Sequence, residues 1–237
     1  MKIALIGYGR MGKAIEEIAL KRGHEIVMKI TSANAHTLTK ENLRHADVAI
    51  EFTKLETAYE HVRLCIETGL PVVCGTTGWL SRMEEVKQLC KETNGSFLYA
   101  SNFSVGVNIL FELNTRLAAL MKNQTDYEVS IEETHHIHKK DAPSGTAITL
   151  AEGIIASGKK ESYSTNAMVS PESLQITSIR EGEVPGTHIV QYRSENDLIA
   201  LKHEAFNRKG FASGAVLAAE FIHNKKGIFS MKDVLHT

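Results

Sequence analysis

The sequence predicts an α/β protein in two parts: a doubly wound parallel-sheet domain, then an α+β domain with a mostly antiparallel sheet. Three observations lead there. Before about residue 105, short apolar runs alternate with stretches of helical periodicity, the pattern of βα units. A glycine-rich turn stands between the first run and the first helix. After residue 106 the runs alternate apolar with polar instead, as half-buried strands do.

The totals allow either one large or two small domains. At 237 residues, with 43% hydrophobic and 23% charged residues, the chain has the make-up of an ordinary globular protein. A formal net charge of −1 supplies no electrostatic attraction for nucleic acid or an anionic membrane. Cys65, Cys74 and Cys90 form no C-x-x-C pair and read as reduced, packed thiols. The apolar run from Ile3 to Ile6 is far short of a signal-peptide core, and nothing has the length of a transmembrane helix. The expected location is the cytoplasm.

Residues 2–6 form a short apolar run bounded by glycine, a buried parallel strand. Gly7-Tyr8-Gly9-Arg10-Met11-Gly12 follows, and Ala14, Ile15, Ile18 and Ala19 then fall at helical spacing. Lys21-Arg22-Gly23 closes that helix, and residues 24–30 resume as a strand. This is a G-x-G-x-x-G inside a βαβ unit, the context in which it marks a Rossmann dinucleotide site. Gly7 serves the tight turn, Gly9 the close approach of a pyrophosphate, and Gly12 the packing of helix on strand. At the end of the second strand an NAD site usually offers an acid to the adenine ribose. Here Thr31-Ser32-Ala33-Asn34 holds that place, so nothing repels a 2′-phosphate, and NADPH, NADH or both are expected.

Further strands are expected over residues 46–53, 70–74 and 97–100, separated by helices. Two loops then fall at the carboxyl edge of the sheet, where open α/β sheets bind ligands. They are Gly75-Thr76-Thr77-Gly78 and Ser101-Asn102-Phe103-Ser104. An amphipathic helix follows over 108–121, then an alternating strand with Tyr127, Val129 and Ile131 on one face. That parity carries Glu133, His135, Ile137 and Lys139 to the same side. Residues 159–173 read as a polar loop or lid. Residues 174–180 and 188–192 read as strands joined by the turn at 181–186, with another strand over 197–205. An apolar helix over 211–222 closes the chain.

The densest chemistry lies at Glu132-Glu133-Thr134-His135-His136-Ile137-His138-Lys139-Lys140-Asp141-Ala142-Pro143-Ser144-Gly145-Thr146-Ala147. Histidine is the side chain most easily poised near neutral pH to give up a proton, lysine is a point charge for a carboxylate, and a helix start welcomes an anion. Glu132, Glu133, His135, His136 and His138 carry donor atoms that a divalent metal takes. No H-E-x-x-H spacing or cysteine is present and the adjacent lysines repel a cation, so no metal is expected.

This stretch resembles the central signature of the dihydrodipicolinate reductases, now called 4-hydroxy-tetrahydrodipicolinate reductases, of lysine and diaminopimelate biosynthesis. Glu133 through Ala147 match its fixed positions, and the G-T-T-G and N-F-S segments occur in the same order. The resemblance implies an NAD(P)H-dependent reduction of a small dicarboxylate. It implies His135 as proton donor, Lys139 as the essential lysine, His136 as a substrate contact, and Ser144, Gly145 and Thr146 as carboxylate partners. Whether Lys139 binds the substrate, acts as the acid, or does both stays open. The same resemblance implies cofactor contacts from Gly75, Thr76, Thr77, Ser101, Asn102 and Phe103. It also implies that the helix at 211–237 returns to a dinucleotide-binding domain of residues 1–105. Residues 106–210 are then a substrate-binding and oligomerisation domain, assembled as a homotetramer through its sheet. The departures, no acid at residues 31–34 and Lys54-Leu55-Glu56 after F-T, fall on the cofactor side. The alternative is a non-catalytic dinucleotide sensor, which has no need of His135 and Lys139.

Overall fold

A computed structural model describes residues 1–166 and 170–236. The chain divides into two compact units, residues 1–105 with 208–237 and residues 106–207.

In chain order the first unit carries β1 (Lys2–Ile6), α1 (Arg10–Lys21), β2 (Glu25–Ile30), α2 (Lys40–Leu43), β3 (Val48–Glu51), α3 (Leu55–Thr68), β4 (Val72–Cys74), α4 (Met83–Glu92) and β5 (Ser96–Tyr99). The second carries α5 (Val105–Met121), β6 (Glu128–His135), α6 (Gly145–Ala156), β7 (Ser162–Ser164), β8 (Ser173–Arg180), β9 (Gly186–Arg193) and β10 (Leu198–Ala205). The first unit is completed by α7 (Lys209–Ile222), β11 (Gly227–Phe229) and α8 (Met231–Leu235).

The first sheet is parallel throughout, in the order β11-β5-β4-β3-β1-β2. Its central strands are nearly continuous apolar runs because both faces are covered, with Glu51 at the end of β3 a buried exception. Ile3, Leu5, Val48, Ile50 and Val73 face one core with α1 and α7, while Ala4, Ile6, Ala49, Val72 and Cys74 face a second core with α3 and α4. Truncating a side chain such as Leu98, fully buried, costs about 2–5 kcal/mol at sites of this kind. The alanines of α7 let it lie close to the sheet; a β-carbon on Gly214 would stand 1.7 Å from the Phe103 carbonyl oxygen. Strand β11 was not expected from the sequence. Three residues between a lysine pair and a helix cap are too short to show periodicity.

The second sheet corrects the expectation of a mostly antiparallel one. Its order is β10-β9-β6-β8-β7, with β6–β8 and β7–β8 parallel and β6–β9 and β9–β10 antiparallel, so it is mixed. Strands β8 and β9 follow one another in sequence and read as a hairpin, but β6 lies between them. The turn joining β8 and β9 arches over the end of β6, where Glu181 N donates to His135 O at 2.8 Å and Ile137 N to Gly182 O at 3.1 Å. The expected loop at 159–173 also contains a short strand, β7, paired with β8, and residues 167–169 lie outside the described residues.

Helices α5 and α6 cover one face of this sheet. Along that face the rows change character one register step at a time. Ile176, Ile131, Val190 and Leu201 form an apolar row across four strands. The next row is polar: Ser178, Glu133, His188 and His203. Beyond it Arg180 pairs with His135, and Gly186 lies beside the imidazole. A polar row on the buried side of a sheet has a chemical purpose or is a packing fault, and in this row Ser178, Glu133 and His188 Nε2 are hydrogen-bonded.

Candidate active site

Glu133 is fully buried at the centre of that row. Its carboxylate accepts from the Ser144 backbone N–H at 3.1 Å to each oxygen, from Ser178 Oγ at 2.8 Å and from Arg180 Nη2 at 3.3 Å. Burial alone would raise its pKa, but these hydrogen bonds from Ser144 and Ser178 and the neighbouring His135 outweigh burial and hold it below the usual carboxylate value. It therefore stays charged at neutral pH.

Two imidazoles share this carboxylate. His135 Nδ1 lies 3.5 Å from Glu133 Oε2, and His188 Nε2 lies 3.8 Å from the same oxygen, the rings meeting edge-on with centroids 5.0 Å apart. Burial pushes His135 down to about 4; Glu133 opposes this, and the Lys139 and Arg180 cations reinforce it. Burial, followed by His135, pushes His188 down to about 3. The resting arrangement at neutral pH is an anionic carboxylate beside two neutral imidazoles.

The segment after β6 is tied down by Arg180, which donates to Asp141 O at 2.5 Å and Lys139 O at 3.3 Å. Lys139 is half-buried, its ammonium on both oxygens of Asp141 at 2.8 and 2.7 Å. His136 is half-buried with Nδ1 enclosed, and its ring centroid is 6.1 Å from that of His138, which faces Glu183 at 3.3 Å. Parity holds as far as His135 and then fails: Ile137 is exposed. Ser144 caps α6, its hydroxyl accepting from Ala147 N at 3.2 Å, so Gly145 and Thr146 form the first turn, at the positive end of the helix dipole. The Ala142–Pro143 peptide leading into this turn is cis.

The structure thus gathers His135, Lys139, Ser144, Gly145 and Thr146 in one unit. It adds Glu133, Arg180 and His188, which the sequence reading did not assign. Glu133 was visible as an acid on the apolar parity of β6; Arg180 and His188 lie in strands distant in sequence and carry no local signal. Glu133, His135 and His188 place one ligand atom each within 4.8 Å of the others. The carboxylate is already taken by Arg180, the Ser144 N–H and the Ser178 hydroxyl, an arrangement that opposes a second cation. His136 and His138 are not in this trio.

In the first unit, Gly9, Arg10, Met11, Gly75, Thr76 and Thr77 line a cleft of about 500 Å³ with Phe52 and Thr53. Gly7 has φ +99°, and a β-carbon there would stand 2.0 Å from the Phe52 carbonyl oxygen; at Gly12 it would stand 2.4 Å from Gly7 O. Helix α1 starts at Gly9 with no side-chain cap and no acid in its first turn. Bare backbone N–H groups and a positive dipole end make a cradle that suits a pyrophosphate. Tyr8 hydrogen-bonds Glu16, which also holds Lys29 at 2.5 Å, and Lys29 lies 5.0 Å above the Tyr8 ring. Thr31 gives both its N–H and its hydroxyl to Asn34, at 2.6 and 2.9 Å, leaving Ser32 exposed at the tip. Ser101 is half-buried, whereas Asn102 and Phe103 are buried. Asn102 Oδ1 accepts from Ser104 N at 2.8 Å, and the Phe103 ring lies 5.5 Å from Phe52.

Beneath the cleft Glu51 is fully buried at the end of β3, accepting from Thr53 N at 2.9 Å, Thr76 Oγ1 at 3.0 Å and Cys74 Sγ at 2.9 Å. Burial would raise its pKa, and hydrogen bonds led by His61 and Cys74 lower it overall. Burial and then Glu51 push the Cys74 thiol well up, so it is no nucleophile.

An open parallel sheet with a phosphate cradle at its first turn, and a separate sheet holding a buried carboxylate–imidazole cluster beside a helix start, define a nicotinamide-dinucleotide-dependent reductase. Residues 1–103 match the family description "Dihydrodipicolinate reductase, N-terminus" and residues 106–235 match "Dihydrodipicolinate reductase, C-terminus". The chain belongs to the dihydrodipicolinate reductase family. It is 47% identical to the 4-hydroxy-tetrahydrodipicolinate reductase of Christiangramia forsetii, over 99% of this chain and 98% of that one. It is 30% identical to the enzyme of that name from Magnetococcus marinus, with the same coverage. Among solved structures it resembles dipicolinate-bound dihydrodipicolinate reductase from Paenisporosarcina sp. TG-14, with a TM-score of 0.78 and 22% identity over 97% of each chain. At that identity the likeness speaks for the fold. Among the described residues no helix is long and apolar enough to cross a membrane.

Proposed function

We propose that the protein reduces 4-hydroxy-tetrahydrodipicolinate to tetrahydrodipicolinate with NADPH or NADH, a step of lysine and diaminopimelate biosynthesis. The observation that carries this reading is the placement of His135 against Glu133, with Lys139 and the Ser144–Thr146 helix start in the same unit. The names of the relatives at 47% and 30% identity support it.

The roles follow from chemistry. Gly7, Gly9, Arg10, Met11 and Gly12 bind the pyrophosphate, with Tyr8, Thr31 and Ser32 toward the adenosine end. Gly75, Thr76, Thr77, Ser101, Asn102 and Phe103 position the nicotinamide end. A bound reduced nicotinamide supplies the hydride. Gly145 and Thr146, with Ser144 setting the turn, receive one substrate carboxylate at the positive end of α6. Lys139 exchanges Asp141 for the other, and His136 contacts the ring. His135 delivers the proton. Its neutral resting state does not disqualify it, because a dianion beside the imidazole raises its pKa on binding.

We further place the enzyme in the cytoplasm, where three unpaired thiols persist reduced, and read it as a homotetramer assembled through the sheet of residues 106–207. The outermost strand of that sheet, β10, exposes Leu198 and Ile199, as an edge that pairs or packs with a second copy does. The testing experiment is turnover of freshly generated substrate, followed by the loss of reduced-nicotinamide absorbance, with NADPH and NADH side by side. Wild-type oxidation that is lost in a His135→Ala, Lys139→Ala double variant is the expected result. Tight cofactor binding without turnover would overturn the reductase reading in favour of a dinucleotide sensor.

A further inference from the structure

We infer that Glu51 is a fixed negative charge beneath the nicotinamide end of the cofactor cleft, where it favours the ring in its cationic, oxidised form and assists hydride departure. The inference rests on the cofactor placement proposed above. Glu51 is 0% exposed and acts through its field, whereas Thr53 and Thr76, which it holds, line the cleft. Strand β3 ends on this residue, opposite Ile6 of β1 and Cys74 of β4. That is the carboxyl edge of a parallel sheet, where ligands bind.

The two oxygens of the carboxylate have different partners. Oε1 accepts from Thr53 N at 2.9 Å, from Thr76 Oγ1 at 3.0 Å and from the Thr53 hydroxyl, while Oε2 accepts from Cys74 Sγ at 2.9 Å. These donors are neutral, unlike those of Glu133, which include Arg180. His61 Nδ1 stands 3.9 Å from Oε1 and 3.2 Å from the Thr53 hydroxyl. Burial opposes ionisation of Glu51, and hydrogen bonds from His61, Cys74, Thr53 and Thr76 overcome it, so the group is anionic at neutral pH.

A structural role does not call for this charge. Glutamine in the same place would accept from Thr53 and Thr76 on its amide oxygen and turn its NH2 group to the Cys74 sulfur. A buried carboxylate costs desolvation instead. It stands one hydrogen bond, 3.0 Å, behind the Thr76 hydroxyl. A group resting on Thr76 lies about 3.5–4 Å further out. Unit charges roughly 7 Å apart inside a protein interact strongly enough to shift an equilibrium roughly 10- to 100-fold. A hydride leaves a reduced nicotinamide with both electrons of its C–H bond, and the ring is left with one positive charge. The Glu51 anion is complementary to that charge in the transition state and in the oxidised cofactor. Any repulsion of the pyrophosphate is the same for both forms and is offset by the positive end of α1.

The test measures dissociation constants by calorimetry without substrate, NADP+ against NADPH and NAD+ against NADH, in wild type, Glu51→Gln and Glu51→Asp. In Glu51→Gln the ratio of oxidised to reduced Kd is expected to rise roughly 10- to 100-fold. Its kcat should fall roughly 3- to 10-fold, with a larger isotope effect from cofactor deuterated at the transferred position. Glu51→Asp keeps the charge and is expected to keep the ratio of wild type, even if its shorter arm weakens both forms. Should Glu51→Gln fail to fold, Thr57→Lys takes its place. Thr57 is exposed, its hydroxyl 3.1 Å from that of Thr53, and a cation there is expected to raise the ratio in the same direction. Equal weakening of both forms in Glu51→Gln, or a ratio unmoved in Thr57→Lys, would overturn the inference and leave Glu51 structural. A shifted ratio without turnover by wild type would strike at the reductase reading alone.

Discussion

Gly186 faces His135 so closely that a β-carbon placed on it would stand 3.1 Å from Nε2 of the imidazole. With Nδ1 enclosed against Glu133, Nε2 is the nitrogen that the proposed reduction would use. Gly186→Ala is expected to tilt the ring and lower kcat/KM roughly 10- to 100-fold, the scale of a misplacement near 1 Å. Steady-state kinetics beside a thermal melt would check it. A variant that melts like wild type and also turns over like wild type would remove Gly186 from the site.

The buried imidazoles make stability depend on pH in a defined direction. His135 and His188 are pushed to about 4 and about 3 in the fold, whereas an unfolded histidine titrates near ~6.5. Between those values the unfolded chain binds more protons than the folded one, so stability falls as pH falls from about 6.5 toward 4. Glu133, whose pKa is lowered in the fold, adds to the same loss once pH drops below the ordinary carboxylate value. Melting midpoints across this window should decline, and more gently in His188→Gln. Parallel declines in the two proteins would show that His188 is not the titrating group.

Local structure is legible in this sequence. The apolar runs of β1, β3, β4 and β5, the glycine turn and the parity of β6 through His135 are all periodic signals within a few residues. Remote partners are not legible. β8 and β9 look like a hairpin from their turn, and nothing between residues 173 and 193 announces that β6 will lie between them. The same insertion brings Arg180 and His188 to Glu133 from either side, so the missing half of the site and the mistaken sheet have one cause. Strand parity alone puts Lys139 on the face of His135. In fact the strand ends at His135, and Arg180 holding the carbonyls of residues 139 and 141 decides where Lys139 goes.

Lys139 already has an anion: Asp141 sits at 2.7 Å and competes with any substrate carboxylate. Lys139→Ala is expected to raise KM roughly 10- to 100-fold, the value of a charge-assisted hydrogen bond of about 1.5–3 kcal/mol. Asp141→Asn should shift KM the opposite way, by roughly threefold or more, since the pair is partly exposed and its attraction is screened. A loss confined to kcat in Lys139→Ala, with KM unmoved, would instead make the lysine the acid.

The cofactor question turns on the loop after β2. Thr31 spends its N–H and hydroxyl on Asn34, so the exposed group at the tip is Ser32, and no acid stands between residues 31 and 34. A site that offers no negative charge tolerates a 2′-phosphate, and adding one should exclude it. Ser32→Asp is expected to cut kcat/KM for NADPH roughly 10- to 100-fold, since like charges brought together cost several kcal/mol before screening. For NADH the effect should be small or favourable, because an acid at this place accepts from the ribose hydroxyls. The ratio of the two kcat/KM values, measured at low and high salt, carries the test. A ratio that moves toward NADH and relaxes with salt places Ser32 beside the ribose, whereas equal losses for both cofactors would mean that the substitution has disturbed the loop itself.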